Sequence, residues 1–195
     1  MQNNHDTFSI LAIPGSLRRG SLNRRLLEAA RGVAPDGVDV QIVDLRPIPF
    51  YDGDVEAAGD PPAVRELKAW IRTADALLVA TPEYNGTVPG VLQNAIDWAS
   101  RPRGAAALDA KPVAVLGASP GGGGTARAQP LLRRVLANAG ADVLAEPVVT
   151  VARAGDRFDD DGVLRDPELA ATLRDLLAAL VDRVGAGRDA GRRVA

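Results

Sequence analysis

Five consecutive apolar residues, Ala76-Leu-Leu-Val-Ala80, stand between the polar Thr73-Ala-Asp75 and a turn opening at Thr81-Pro82. A strand whose side chains of both parities are apolar needs cover on both faces, as a central strand of a parallel sheet with flanking helices has. Shorter-range signals repeat the theme. Phe8 to Ile13 is a β-rich run closed by Pro14-Gly15, Val38 to Val43 is a second, and Pro112 to Gly117 is a fourth. Val143 to Val151, interrupted by Pro147, reads as the fifth strand. Between these runs the apolar positions change to helical spacing: 22, 26, 27, 30 and 33, then 64, 67, 70 and 71. A further helix is expected from Pro89, in the favoured first-turn position, to about Ser100, and another from about Thr125 to Asn138. The last carries Leu169, Leu173, Leu176, Leu177, Leu180 and Val184 on one face. Residues 44–62 read as loop and 156–162 as an acidic turn. The alternation predicts an α/β fold, a doubly wound five-stranded parallel sheet with helices on both faces.

The chain of 195 residues, with no repeat or low-complexity linker, is expected to form one domain over 1–195, with frayed tails at 1–7 and 186–195. The absence of cysteine excludes disulfides, thiolate zinc sites, Fe–S clusters and thiol nucleophiles. The one histidine, His5, sits in a polar N-terminal segment, so neither a transition-metal site nor a Ser-His-Asp triad is expected. A formal net charge of −2, with arginines interleaved among acids, gives no reason to expect nucleic acid or a membrane as partner. No apolar run reaches the roughly 18–20 residues of a bilayer span. The start MQNNHDT lacks the pattern of a secretory signal, so a cytoplasmic location is expected.

Ligands of open α/β sheets bind beyond the carboxyl ends of the strands, where the strand order reverses. With the order 2-1-3-4-5, that point lies between the first and third strands. Three loops of unusual composition then converge there: 14–23, 81–88 and 117–124. The first offers the hydroxyls of Ser16 and Ser21, the guanidinium of Arg18, the amide of Asn23 and free N–H groups opening a helix. Together these suit a phosphate. Ser21 as a plain N-cap beside solvated arginines is the alternative. There is no G-x-G-x-x-G dinucleotide fingerprint, and the run Gly117-Ala-Ser-Pro-Gly-Gly-Gly-Gly-Thr125 lacks the lysine of a P-loop. Placed after a buried strand and opening a helix, that run is expected to let backbone approach a planar ligand closely, with a flexible surface turn as the alternative. In the middle loop, two prolines and two glycines stiffen a turn carrying the flat face of Tyr84 and the amide of Asn85.

Taken together, Thr81-Pro-Glu-Tyr-Asn-Gly86, Pro89-Gly-Val-Leu-Gln-Asn-Ala-Ile-Asp-Trp-Ala-Ser-Arg101, Gly15-Ser-Leu-Arg-Arg-Gly-Ser-Leu-Asn23, Ile48-Pro-Phe-Tyr-Asp52 and Gly117-Ala-Ser-Pro-Gly121 resemble the signature of the NAD(P)H-dependent FMN reductases. That family includes quinone, azo and chromate reductases of flavodoxin-like fold. The resemblance implies FMN as cofactor, NADPH or NADH as co-substrate, a small-molecule electron acceptor (quinone, azo, nitro, metal-oxyanion or flavin), and a ping-pong cycle in a homodimer or homotetramer. It assigns the FMN phosphate to Ser16, Arg18, Ser21 and Asn23. The ribityl chain and ring go to Pro82, Glu83, Tyr84, Asn85 and Gly86, and the other edge of the ring to Ser119, Gly121 and Gly122. Gln93 stands where the family often has Lys, and the Gly121–Gly124 run is richer in glycine than usual. The resemblance also allows a Glu83–Arg101 pair across a subunit boundary, with Arg101 in solvent as the alternative. Hydride chemistry on a flavin asks for ring stacking rather than an acid–base pair, so no catalytic side chain is expected. A flavodoxin-type electron carrier remains open as an alternative, although such carriers usually show stronger negative charge, as does a binding module for another phosphorylated ligand.

Overall fold

The computed structural model of the protein describes residues 7–194, so His5 lies outside the described residues. Among the described residues six strands and six α-helices follow one another, with a short 3-10 turn at Ala154–Arg157. The strands β1 (Phe8–Pro14), β2 (Val38–Ile42), β3 (Ala76–Ala80), β4 (Pro112–Ala118), β5 (Asp142–Val143) and β6 (Val149–Val151) form a parallel sheet of order β2-β1-β3-β4-β5. β6 also pairs with β4. This is the flavodoxin-like order expected from the sequence.

Period-2 alternation explains why β3 is apolar throughout. Ala76, Leu78 and Ala80 belong to the core shared with α1 (Leu22–Gly32) and α6 (Pro167–Val194). Leu77 and Val79 belong to the opposite core, under α3 (Pro62–Thr73), α4 (Gly90–Ala99) and α5 (Ala128–Asn138). The α6 stripe of Leu173, Leu176, Leu177 and Leu180 is fully buried. Each such side chain contributes roughly 1.5–3 kcal/mol of apolar transfer.

Several elements differ from expectation. The stretch 44–62 contains a helix, α2 (Gly53–Ala58), capped by the Asp52 carboxylate, which accepts the Asp54 N–H. None of its residues is buried, so it left no amphipathic signature to read. Pro89 is the N-cap of α4 rather than its first-turn residue. Thr125 precedes α5, which starts at Ala128. The expected fifth strand is two: β5 pairs with the first half of β4 and β6 with its last three residues. Pro147, lacking an N–H, cannot carry the ladder between them. Arg133 spans the gap by donating to the Leu144 carbonyl. α6 runs to Val194, past the tail expected from Gly185 onward.

The segment after β2 is pinned to α4. Asn94 accepts the Tyr51 N–H at 2.8 Å and donates to the Pro49 carbonyl at 2.9 Å, a carbonyl that also accepts Trp98 Nε1 at 2.9 Å. The Tyr51 ring stands edge-on to Trp98, centroids 5.0 Å apart. Trp98 is thus a core anchor rather than a stacking partner for a ligand. Lys68, buried beside this ring, is neutralised by Asp60 at 2.7 Å.

Candidate functional site

β1 lies between β2 and β3, so the chain leaves it toward one side of the sheet and returns on the other. Register sets the three loops side by side at this switch point. Pro14 pairs with Ala80, the Gly15 N–H donates to the Ala80 carbonyl at 2.7 Å, and the Thr81 N–H donates to Leu116 at 3.0 Å. A Cβ on Gly15 would stand 2.9 Å from that Ala80 carbonyl, so the chain can turn out of β1 here only without one.

In the first loop Ser21 is the N-cap of α1 and accepts the Arg24 N–H at 3.2 Å. The N–H groups of Leu22 and Asn23, in the first turn at the helix's positive end, have no acceptor within the helix. Ser16 is buried, with its hydroxyl 3.1 Å from that of Tyr84. Arg18 and Arg19 are exposed and enter no ion pair among the described residues. Asn23 differs from the expectation that its amide offers donors to phosphate. Its side chain is 2% exposed, with Nδ2 donating to the Ala118 carbonyl at 2.8 Å and Oδ1 accepting the Ala118 N–H at 2.9 Å.

The middle loop folds back on itself. Tyr84 and Thr87 exchange backbone hydrogen bonds of 3.2 and 3.0 Å around Asn85 (φ 53°) and Gly86 (φ 75°). Two successive left-handed residues are the type I′ turn that Asn-Gly favours. Pro82 is buried at its base, while Tyr84 and Asn85 are exposed. Glu83 bonds to Arg127 and Ala128. One carboxylate oxygen accepts the backbone N–H groups of Arg127 and Ala128 at 2.9 and 3.2 Å, and the other takes the Arg127 guanidinium at 2.7 and 2.5 Å. Withdrawal from water pushes the Glu83 carboxyl up, but these hydrogen bonds and the Arg127 charge outweigh it and hold the pKa below its ordinary value. Arg101 instead lies over the Tyr51 ring at 5.6 Å. Within the chain, Glu83 thus serves the otherwise unpaired start of α5.

The third loop leaves β4 alongside the end of β6. The Ser119 N–H donates to Val151, and the N–H groups of Arg153 and Ala154 donate to Gly121 and Ser119, all at 3.0 Å. Added Cβ atoms on Gly122 and Gly123 would meet nothing within 4 Å, and one on Gly121 would meet only the Ser119 hydroxyl at 3.8 Å. The stretch Gly121–Gly123 thus presents bare backbone to open space. Behind it the packing is tight, with Thr125 accepting from the buried Gln129 amide at 2.9 Å.

Three polar ties join the loops pairwise: Ser16 to Tyr84, Glu83 to the start of α5, and Asn23 to Ala118. Arg127, Ala118, Thr125 and Gln129 were not singled out in the sequence. An arginine just beyond a glycine run, with a loop glutamate across the crevice, is the signal that points to Arg127. The others act through backbone groups or through one methyl-sized space, which sequence does not mark. Among the described residues no group of three or more His, Cys, Asp or Glu could hold a metal ion. No described helix is long and apolar enough to cross a membrane.

The sequence matches the family model of NADPH-dependent FMN reductases over residues 8–156. It is 46% identical over 175 residues to an NAD(P)H-dependent FMN reductase of Pseudomonas aeruginosa, covering 90% of this chain and 94% of that one. It is 38% identical over 176 residues to a quinone reductase of Pseudomonas putida, covering 90% and 92%. Among solved structures, the flavoenzyme NAD(P)H:(acceptor) oxidoreductase FerB of Paracoccus denitrificans superposes with a TM-score of 0.84 at 34% identity, over 91% of this chain and 97% of that one.

Proposed function

The chain belongs to the NADPH-dependent FMN reductase family, and we propose that it transfers electrons from NAD(P)H to a quinone or another small oxidised acceptor in two half-reactions that share one crevice. The observation that carries this reading is the meeting, at the β1/β3 switch point, of an anion-binding helix start with a strip of open glycine backbone. A phosphate joined to a flat ring fits that pairing. When bound, FMN supplies the two-electron centre between the nicotinamide and the acceptor.

The protein's own groups bind and orient. Ser16, Ser21, the Leu22 and Asn23 N–H groups and the Arg18 guanidinium are assigned to the phosphate. The type I′ turn, with Pro82 at its base and Tyr84, Asn85 and Gly86 at its tip, forms one wall of the ring site. Ser119, Gly121 and Gly122 form the other. Glu83 holds the first wall through α5 rather than meeting the ligand with its carboxylate. Outward N–H groups along these walls stabilise negative charge that develops on a ring bound between them. With no side chain of the described site suited to acid–base work, exchange of donor and acceptor over one ring face accounts for a ping-pong cycle. The quinone reductases among its relatives favour a quinone as acceptor, with azo, nitro, metal-oxyanion and flavin acceptors as further members of the class.

Removal of the Arg18 guanidinium tests the phosphate assignment. A charge-assisted hydrogen bond is worth about 1.5–3 kcal/mol, or roughly 10- to 150-fold in affinity. Purified Arg18→Ala is expected to lose FMN by about that factor, read by flavin fluorescence on dilution. Retention equal to the parent's sinks the assignment. Parallel initial-rate lines for NAD(P)H against benzoquinone are expected for the two-step cycle, and intersecting lines refute it.

A further inference from the structure

We propose that Asn23 is a positioning residue that fixes the span between the phosphate loop and the ring loop, and that its side chain is not a phosphate ligand. The inference rests on the flavin reading above and deepens it.

The ladder of β4 explains why such a residue is needed. On the side facing β3, the Leu116 carbonyl accepts the Thr81 N–H, and β3 ends at Ala80. Ala118 has the same parity as Leu116, so its N–H and C=O point to the same side, beyond the last residue of β3. They are buried peptide groups with no strand to pair with. The Asn23 amide takes both, donating to one and accepting from the other at 2.8 and 2.9 Å, as one residue of a missing strand would. Oδ1 and one of the two Nδ2 hydrogens are committed to Ala118, and with 2% of the residue exposed the side chain has little access to a ligand.

The tie has a geometric consequence. Asn23 sits in the turn that presents donors to the phosphate, and Ala118 immediately precedes Ser119, where the ring loop begins. A ligand reaching from one to the other finds its two anchor points held apart by a single buried side chain. Loss of that side chain leaves the phosphate donors in place and frees the ring loop. The ring end of the ligand should then suffer, not the phosphate end.

Affinity for FMN compared with riboflavin separates the two roles, because riboflavin lacks the phosphate. Asn23→Ala is expected to weaken both flavins by about the same factor, roughly tenfold for one buried peptide left unpaired. Arg18→Ala is expected to weaken FMN alone. Visible absorption of the bound flavin should change in Asn23→Ala and stay as in the parent in Arg18→Ala, a readout that lowered stability alone does not move. Asn23→Asp keeps the shape but sets a carboxylate against the Ala118 carbonyl, and it is expected to follow Asn23→Ala. Weakened FMN binding with unchanged riboflavin binding overturns the proposal, as does unchanged binding of both. Should neither variant fold, the side-chain amide resonance of Asn23 in the parent decides. Equal shifts on adding riboflavin or FMN support the positioning role, and a large shift specific to FMN overturns it. A parent protein that takes up neither flavin overturns this inference and the flavin reading together.

Discussion

Gly117 is the position where one added methyl group should do the most damage to the empty protein. A Cβ there would lie 2.3 Å from the Thr125 hydroxyl, 2.5 Å from the Thr81 carbonyl and 3.0 Å from Thr125 Cβ. Ordinary contacts begin near 3.4 Å, about an ångström beyond the first two of these distances. Thr125 cannot simply rotate away, because its hydroxyl accepts from Gln129, whose amide also serves Val149 and Thr150. Nor does trimming Thr125 help, since the Thr81 carbonyl is backbone at the root of the middle loop. Overpacking of this kind costs about 1–3 kcal/mol, and a disturbed buried hydrogen bond adds about 1 kcal/mol. For a chain of this length, about 2–4 kcal/mol corresponds to a fall of roughly 5–15 °C in Tm. Gly117→Ala is therefore expected to lower the thermal midpoint of the flavin-free protein by that amount, followed by circular dichroism. Gly122→Ala is the matched control: with no atom within 4 Å of its Cβ, it should leave the flavin-free midpoint unchanged or raise it slightly, yet weaken FMN if the ring lies against this backbone. A Gly117→Ala protein melting within about 1 °C of the parent would refute the packing account.

Two further perturbations address the supports of the site. The depressed Glu83 carboxyl stabilises the fold above its ordinary titration range, and that contribution is lost as pH falls through its lowered value. The parent's midpoint should therefore drop more steeply than that of Glu83→Gln between about pH 5 and pH 3, and coincident acid profiles would remove Glu83 from the account. Asp60→Ala strands the buried Lys68 ammonium and is expected to cost about 3–5 kcal/mol in urea unfolding. Lys68→Met added to it should recover most of the loss, and an additive double variant would contradict the pairing.

The sheet order and the convergence of three loops were legible because they rest on strong, redundant signals: wholly apolar strands, helical stripes, and Gly or Pro at the strand ends. The capped start of α1 was legible for the same reason, since Ser21 precedes an amphipathic run. The bonds of Asn23 to Ala118 were not legible, because its residue type suits a phosphate as well as it suits an unpaired peptide. Only the end of β3 at Ala80, two residues short of reaching Ala118's level in the ladder, decides between them. The contacts of Glu83 within the chain were hidden for a related reason: they are two backbone N–H groups and an arginine 44 positions away, and backbone groups have no letter in a sequence. α2 went unseen because a helix that buries nothing has no periodicity, and the split of β5 from β6 was visible only as Pro147.

That split divides the outer margin of the sheet into two sections with separate duties. Asp142–Val143 secures the lower half of β4 and is itself clasped by Arg183 from α6. Val149–Val151 secures the upper half and, through Ser119, the ring loop. The connecting residues 144–148 keep neither ladder in step with the other, and Val148 is half exposed. Lengthening or shortening the chain at this seam changes no strand register. It is the place where descendants of this fold could vary the surroundings of the third loop while inheriting the start of α1 intact.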